Sequence, residues 1–172
     1  MIAHRISLIA TASVLVLSAC ASASMSGPRA EAKMEARSGS SVSGMVNFSQ
    51  QGEKLMVEAK LSGLTPGEHG FHIHESGDCS AADASSAKGH FNPGGKAHGH
   101  HGGMERHAGD MPNLVADSYG NASYKGELAM LSLGSDASGI MGRSVVIHAD
   151  PDDYKSQPAG NSGKRIACGP IR

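Results

Sequence analysis

Six histidines (His72, His74, His90, His98, His107 and His148), with Asp110 three residues after the fifth, are the part of this chain best equipped for chemistry. Imidazole is the commonest metal ligand in proteins and suits copper and zinc. Five of the six lie between His72 and His107, in a stretch rich in glycine and poor in aliphatic residues, where a packed core would not use them. His72 and His74 are two apart. On a strand, residues i and i+2 share one face, so both rings can reach one ion while Phe71 and Ile73 turn towards a core. His90, His98, His107 and Asp110 follow at steps of eight, nine and three, and the run Val145-Val146-Ile147-His148 ends on an imidazole. A tract that merely collected metal loosely would not need such ordered spacing.

The elements that must position these residues read as short strands. Val42, Val46 and Phe48 share one parity, and Leu55, Val57, Ala59 and Leu61 alternate with Met56, Glu58 and Lys60. A period of two describes a strand with one buried face, and the Gln51-Gly52 turn joins the two runs as a hairpin. Further strands are expected over 70–75, 114–116, 122–128, 144–148 and 165–168. Two polar stretches, 76–112 and 150–164, are too poor in apolar residues to hold themselves together. A loop of such length inside a domain is normally functional, and metal ligands can order it. Short strands with Gly-rich turns make the expected class all-β, a sandwich or barrel. With three Phe, three Tyr and no Trp, the core must rely on aliphatic residues, so a crosslink or a metal would add needed stability.

The ends of the chain speak to compartment. His4 and Arg5 precede an apolar run from Ile6 to Leu17, too short to span a bilayer. Leu17-Ser18-Ala19-Cys20 resembles a bacterial lipobox, which implies a leader over 1–19 and lipid on Cys20; the alternative is an ordinary secretory signal cut nearby. Residues 20–40 read as a flexible tether, with 31–37 capable of a helical turn or two but lacking an apolar stripe. The folded domain is then expected over 41–172. Without Arg5 the chain has 14 basic residues against 16 acidic ones, which argues against a nucleic-acid partner. Lipid on Cys20 leaves Cys79 and Cys168. An exported chain is expected to join them; two buried free thiols are the alternative.

The segments Gly70-Phe71-His72-Ile73-His74-Glu75, His90-Phe91-Asn92-Pro93, Arg106-His107-Ala108-Gly109-Asp110 and Gly160-Asn161-Ser162-Gly163-Lys164-Arg165-Ile166-Ala167-Cys168-Gly169 together resemble copper/zinc superoxide dismutases of the bacterial exported kind. The resemblance runs from about residue 41 to the C-terminus. It implies an eight-stranded Greek-key barrel with long metal-binding and electrostatic loops. It implies copper on His72, His74, His90 and His148, and zinc on His90, His98, His107 and Asp110, with His90 shared. It further implies a carboxylate, Asp152, supporting a ligand from each site, a catalytic role for Arg165 at the copper mouth and for His90 in proton transfer, and a Cys79–Cys168 disulfide. His69 matches a structural position rather than a ligand. The expected substrate is superoxide, dismuted by copper redox cycling with zinc as a structural and tuning ion. A periplasmic setting is implied, with a membrane reached through the lipid on Cys20 and a homodimer as one admissible assembly. His100 and His101 depart from the family pattern, and they motivate the alternative of a copper or zinc carrier on the same scaffold. Lys155 and Lys164 are the steering cations suggested by the second loop.

Overall fold

The computed structural model describes residues 27–172. The expected leader, Cys20 and the start of the expected tether lie outside the described residues. Among the described residues nine strands form one antiparallel, nearly closed barrel: β1 Arg29–Ala36, β2 Ser43–Gln51, β3 Lys54–Ser62, β4 Gly67–His69, β5 Phe71–His74, β6 Leu114–Ala116, β7 Ala122–Leu128, β8 Ser144–His148 and β9 Arg165–Pro170. Among the described residues the only helical element is a single 3-10 turn, Ser85–Ala87.

The strand order is β4-β6-β7-β3-β2-β1-β9-β8-β5. The connections β3 to β4 and β7 to β8 pass over intervening strands, the signature of a Greek key. The ninth strand has a simple origin. The stretch Gly67–His74 divides at Gly70; its first part pairs with β6 and its second with β8. Because β4 and β5 sit at opposite ends of the strand order, this passage through Gly70 brings the sheet round on itself. Counted as one strand, β4 and β5 restore the expected eight.

The hairpin of β2 and β3 follows from its pattern. Val46 faces Ala59 and Phe48 faces Val57, all buried, with Gly52 at φ +62 supplying the turn. The interior adds Phe71 and Ile73 from β5, Val145 and Ile147 from β8, and Phe91, Met111 and Leu114. Full burial of one such side chain stabilises by about 1.5–3 kcal/mol.

The expected tether does not extend to residue 40. Arg29–Ala36 is a strand between β2 and β9, with Ala30, Ala32 and Met34 in the core and charged residues on the outer face. Two alanines and one methionine give a faint period-of-two signal, while Ala, Glu, Lys and Met all favour helix in isolation; pairing with two neighbouring strands overrides that preference. Residues 37–40 are also tied down. Arg37 donates through Nε to the Cys79 carbonyl at 2.8 Å, and Ser38 Oγ to the Arg165 carbonyl at 2.8 Å.

Candidate metal centre

β5 is the platform of the site. Phe71 and Ile73 enter the core; His72 and His74 lie on the outer wall of the barrel, yet are sealed from water at 0% and 1% exposure. β8 runs alongside, pairing Val146 with His72 and Ser144 with His74. At its end the register against β9 shifts between Ile147 and His148, so that His148 lies opposite Arg165. A bulge of this kind turns a side chain out of the regular alternation, here towards the pair on β5.

The long loop after β5 covers the strand's other edge. It returns twice to make isolated bridges, His74 with His90 and His72 with Asp110. Phe91 N donates to the Ile73 carbonyl at 2.8 Å, and Ile73 N to the Gly109 carbonyl at 3.0 Å. Gly109 is needed for this approach, because a Cβ there would overlap the Ile73 carbonyl oxygen. Phe91, buried in the core, anchors the loop beside His90. A stretch with little apolar content is thereby held in strand-like register against the histidine pair.

Two groups of ligand atoms result, each within 4.8 Å: His72, His74, His90 and His148, and His90, His98, His107 and Asp110. All seven residues are buried. In the first group His72 Nδ1, His74 Nε2, His90 Nε2 and His148 Nε2 are buried without a hydrogen-bond partner among the described residues. A buried polar atom left unpaired costs about 1–3 kcal/mol, so four converging on one point fit a cation that takes their lone pairs. In the second group His90 Nδ1 lies 2.8 Å, His98 Nδ1 3.0 Å and His107 Nδ1 3.3 Å from Asp110 Oδ1. His90 thus presents one ring nitrogen to each group. Four imidazoles suit Cu(II), and three imidazoles with a carboxylate suit zinc.

The opposite edges of the rings are held as well. Asp152 receives His72 Nε2–H at Oδ2, 2.8 Å, and His98 Nε2–H at Oδ1, 2.9 Å. His74 Nδ1–H reaches the Lys88 carbonyl at 2.9 Å, and His148 Nδ1–H the Gly163 carbonyl at 3.4 Å. Such contacts fix which nitrogen faces the metal. Burial pushes His72, His74 and His148 below the usual imidazole range, and His90 to about 4. His98 is different. Burial disfavours its charge, but hydrogen bonds to Asp110 and Asp152 win and raise it to about 9. Burial likewise opposes ionisation of Asp110 and Asp152, yet their histidine partners hold both carboxyls well below the usual range.

Arg165 is partly buried, and its Nη1 donates to the Ala84 carbonyl at 2.8 Å. Its charge is felt at His74 and His148. Cys79 and Cys168 form a disulfide, with Cα atoms 5.7 Å apart, which ties the loop to β9 three residues beyond Arg165. His69 donates from Nδ1 to the His148 carbonyl at 2.8 Å and stands outside both groups. His100 and His101 also stand outside them, with ring centroids 4.1 Å apart and the Tyr154 ring against both. His100 Nδ1 accepts the Gly102 N–H at 3.1 Å.

Sequence reasoning missed several supporting groups. Gln157 brackets His98, its Oε1 accepting His98 N–H and its Nε2 donating to the His98 carbonyl, both at 2.9 Å. Asn113 does the same for the Asp152 backbone at 2.9 and 3.0 Å. Arg106 Nη1 holds the His107 carbonyl at 2.9 Å. An isolated amide in a sequence carries no sign of which backbone it will meet.

The family described as copper/zinc superoxide dismutase (SODC) matches residues 42–171. Superoxide dismutase Cu-Zn 2 of Aquifex aeolicus (strain VF5) is 43% identical over 136 residues, 76% of this chain and 80% of that protein. Superoxide dismutase Cu-Zn of Paramecium bursaria Chlorella virus 1 is 42% identical over 137 residues, 76% of this chain and 72% of that protein. The solved structure of the clock protein EA4 superposes with a TM-score of 0.77 at 39% identity, covering 85% of this chain and 94% of that one.

Proposed function

The chain belongs to the copper/zinc superoxide dismutase family, and we propose that it is an exported enzyme of that family, converting two superoxide anions and two protons into oxygen and hydrogen peroxide. The observation that carries this reading is the shared ring of His90, with one nitrogen in each of two buried four-ligand groups.

On this reading copper is held by His72, His74, His90 and His148, and zinc by His90, His98, His107 and Asp110. Copper, when bound, supplies a one-electron redox couple, and zinc a fixed charge that redox does not change. The chain's own groups do the rest. Arg165, placed by its bond to Ala84 and by the disulfide, attracts the anion and orients it; a planar guanidinium is suited to this. His90 Nε2 takes up a proton and gives it to the peroxide product, while Nδ1 stays on the zinc side and keeps the ring in place. Asp152 keeps one ligand of each site turned the right way. Burial of the histidines excludes water from the ligand atoms.

The sequence around Cys20 supports removal of residues 1–19, lipid on Cys20 and a periplasmic setting. Metabolic labelling with a fatty-acid analogue checks this: label on the wild type but not on Cys20→Ser is expected, and equal labelling overturns the anchor.

For the reaction itself, the measurement is metal content, copper EPR and superoxide removal on the same sample. One copper and one zinc per chain, a spectrum altered when zinc is withdrawn, and rapid superoxide loss are expected. A chain that holds both metals and leaves superoxide untouched is a carrier instead.

A further inference from the structure

Among the described residues Arg106 is the only arginine or lysine that is buried, at 6% exposure. It has no ion pair there, whereas Arg37 and Arg143 each have a glutamate. Its Nη1 donates to the His107 and Ala108 carbonyls at 2.9 and 3.4 Å. These hold the guanidinium in place but bring no net charge to balance it. Its Nε is buried without a hydrogen-bond partner. A buried charge is normally paired, and a guanidinium has five N–H donors to satisfy. Asp110 is close enough to favour the charge, but both of its oxygens are taken: Oδ1 by His90 at 2.8 Å, and Oδ2 by the His107 and Gly99 N–H groups at 2.8 and 3.2 Å.

Beside Arg106 lies a cavity of about 70 Å³ between the loop after β5 and the end of β7; His101, Tyr124, Glu127 and Leu128 also line it. That is room for several waters or for one small ion. His101 enters from a turn closed by the Gly103 N–H on the His100 carbonyl at 2.7 Å. Its Nδ1, like Arg106 Nε, is buried without a partner, and a neutral imidazole can carry its proton there. Tyr124 adds a phenol: its ring is laid along β7 over Gly126, where a Cβ would overlap the hydroxyl. Glu127, the other acid of the wall, pairs with Lys54 at 3.0 Å. The cavity is therefore walled by one uncompensated cation and two further donor side chains, while its two carboxylates are engaged elsewhere.

We propose that this cavity is a binding site for a small monovalent anion, of the size of chloride or formate, held by Arg106, His101 and Tyr124. The ion supplies the charge that the buried guanidinium lacks, and charge-assisted hydrogen bonds of this kind are the strong ones. It also ties the loop that carries His107 and Asp110 to β7. Arg165 is no part of this wall, so the site is separate from the copper mouth and independent of the proposed reaction.

The test follows the unfolding midpoint of the copper- and zinc-loaded protein as sodium bromide replaces sodium gluconate at constant ionic strength. Gluconate is too large for the cavity. The midpoint should rise as bromide fills the site. His101→Leu leaves every metal ligand in place and should raise the bromide concentration needed for a given rise about fivefold, the loss of one neutral hydrogen bond. Arg106→Lys should raise it about tenfold, the loss of a charge-assisted one; metal content is measured alongside, because Arg106 also holds the His107 carbonyl. Diffraction from bromide-soaked crystals at the bromine edge should place the ion between Arg106 and His101. An identical bromide response in His101→Leu and the wild type puts the ion elsewhere, such as the copper mouth, and overturns the inference. So does a cavity holding water alone in those crystals, or a bromide peak without any rise in solution, an adventitious ion only. A response that depends on His101 in a protein that leaves superoxide untouched supports the site and removes only the proposed reaction.

Discussion

Asp152 shows how much rests on one carboxylate. Its two oxygens hold His72 and His98, one ligand from each group. Asp152→Ala should weaken both metals by about 10–100-fold, measured by competition with a chromophoric chelator; a loss confined to one metal would mean the two rings are fixed by other means. The imidazoles also divide by charge. His90, at about 4, and the depressed His72, His74 and His148 are already neutral at pH 7, so copper uptake should change little from pH 7 upward. His98 keeps its proton up to about 9 in the metal-free chain. Its raised value stabilises the metal-free fold fully below the ordinary imidazole range, and that contribution is lost as pH rises through about 9. Zinc must displace this proton. Zinc affinity should therefore climb about tenfold per pH unit from 7 to 9, with close to one proton released at pH 7. Calorimetry in buffers of different ionisation enthalpy reads that release, and none would refute the assignment of the proton to His98. His100 is poorly placed to compete for zinc, because its Nδ1 is occupied by the Gly102 N–H.

Among the elements, β5 and the loop on its edge decide the geometry. β5 meets β8 on one side and the returning loop on the other, and the loop pairs both the N–H and the carbonyl of Ile73 although it is no strand. Gly109 is the tightest point of that contact. Gly109→Ala should push the loop off β5, lower zinc affinity more than copper affinity, and reduce the melting temperature. Wild-type zinc binding in this variant would mean the loop can shift without moving Asp110. β1 bears on function too, since the residues just after it bond to the Arg165 backbone and to the disulfide loop.

Across the whole molecule, the disulfide closes a separation of 89 residues. In the chain-entropy account such a link stabilises by about 4–5 kcal/mol. Cys168→Ser in the metal-free protein should lower the denaturant midpoint accordingly. It should also reduce superoxide removal in the metal-loaded protein, because Arg165 loses its nearby tie. Full activity in that variant would show that the Ala84 bond alone positions the guanidinium. With a formal net charge of −1 at pH 7, the proposed attraction of an anion would depend on a fixed local cation such as Arg165 rather than on the charge of the whole chain.

Much of this was legible in the chain itself. The spacing of two between His72 and His74, the alternation of β3, and the unusual density of histidine in a glycine-rich stretch are local signals, because side-chain direction along a strand follows from backbone geometry alone. The pairing of His90 with both groups and the role of Asp152 came from likeness to a family, whereas the link between Cys79 and Cys168 was already expected of the two cysteines left in an exported chain. Only the folded chain revealed β1, whose small residues form a core face solely between two neighbours. The same holds for the backbone carbonyls of Lys88 and Gly163, which set two rings. A carbonyl is present at every residue and has no identity in a sequence; which one meets an imidazole is decided by long-range packing.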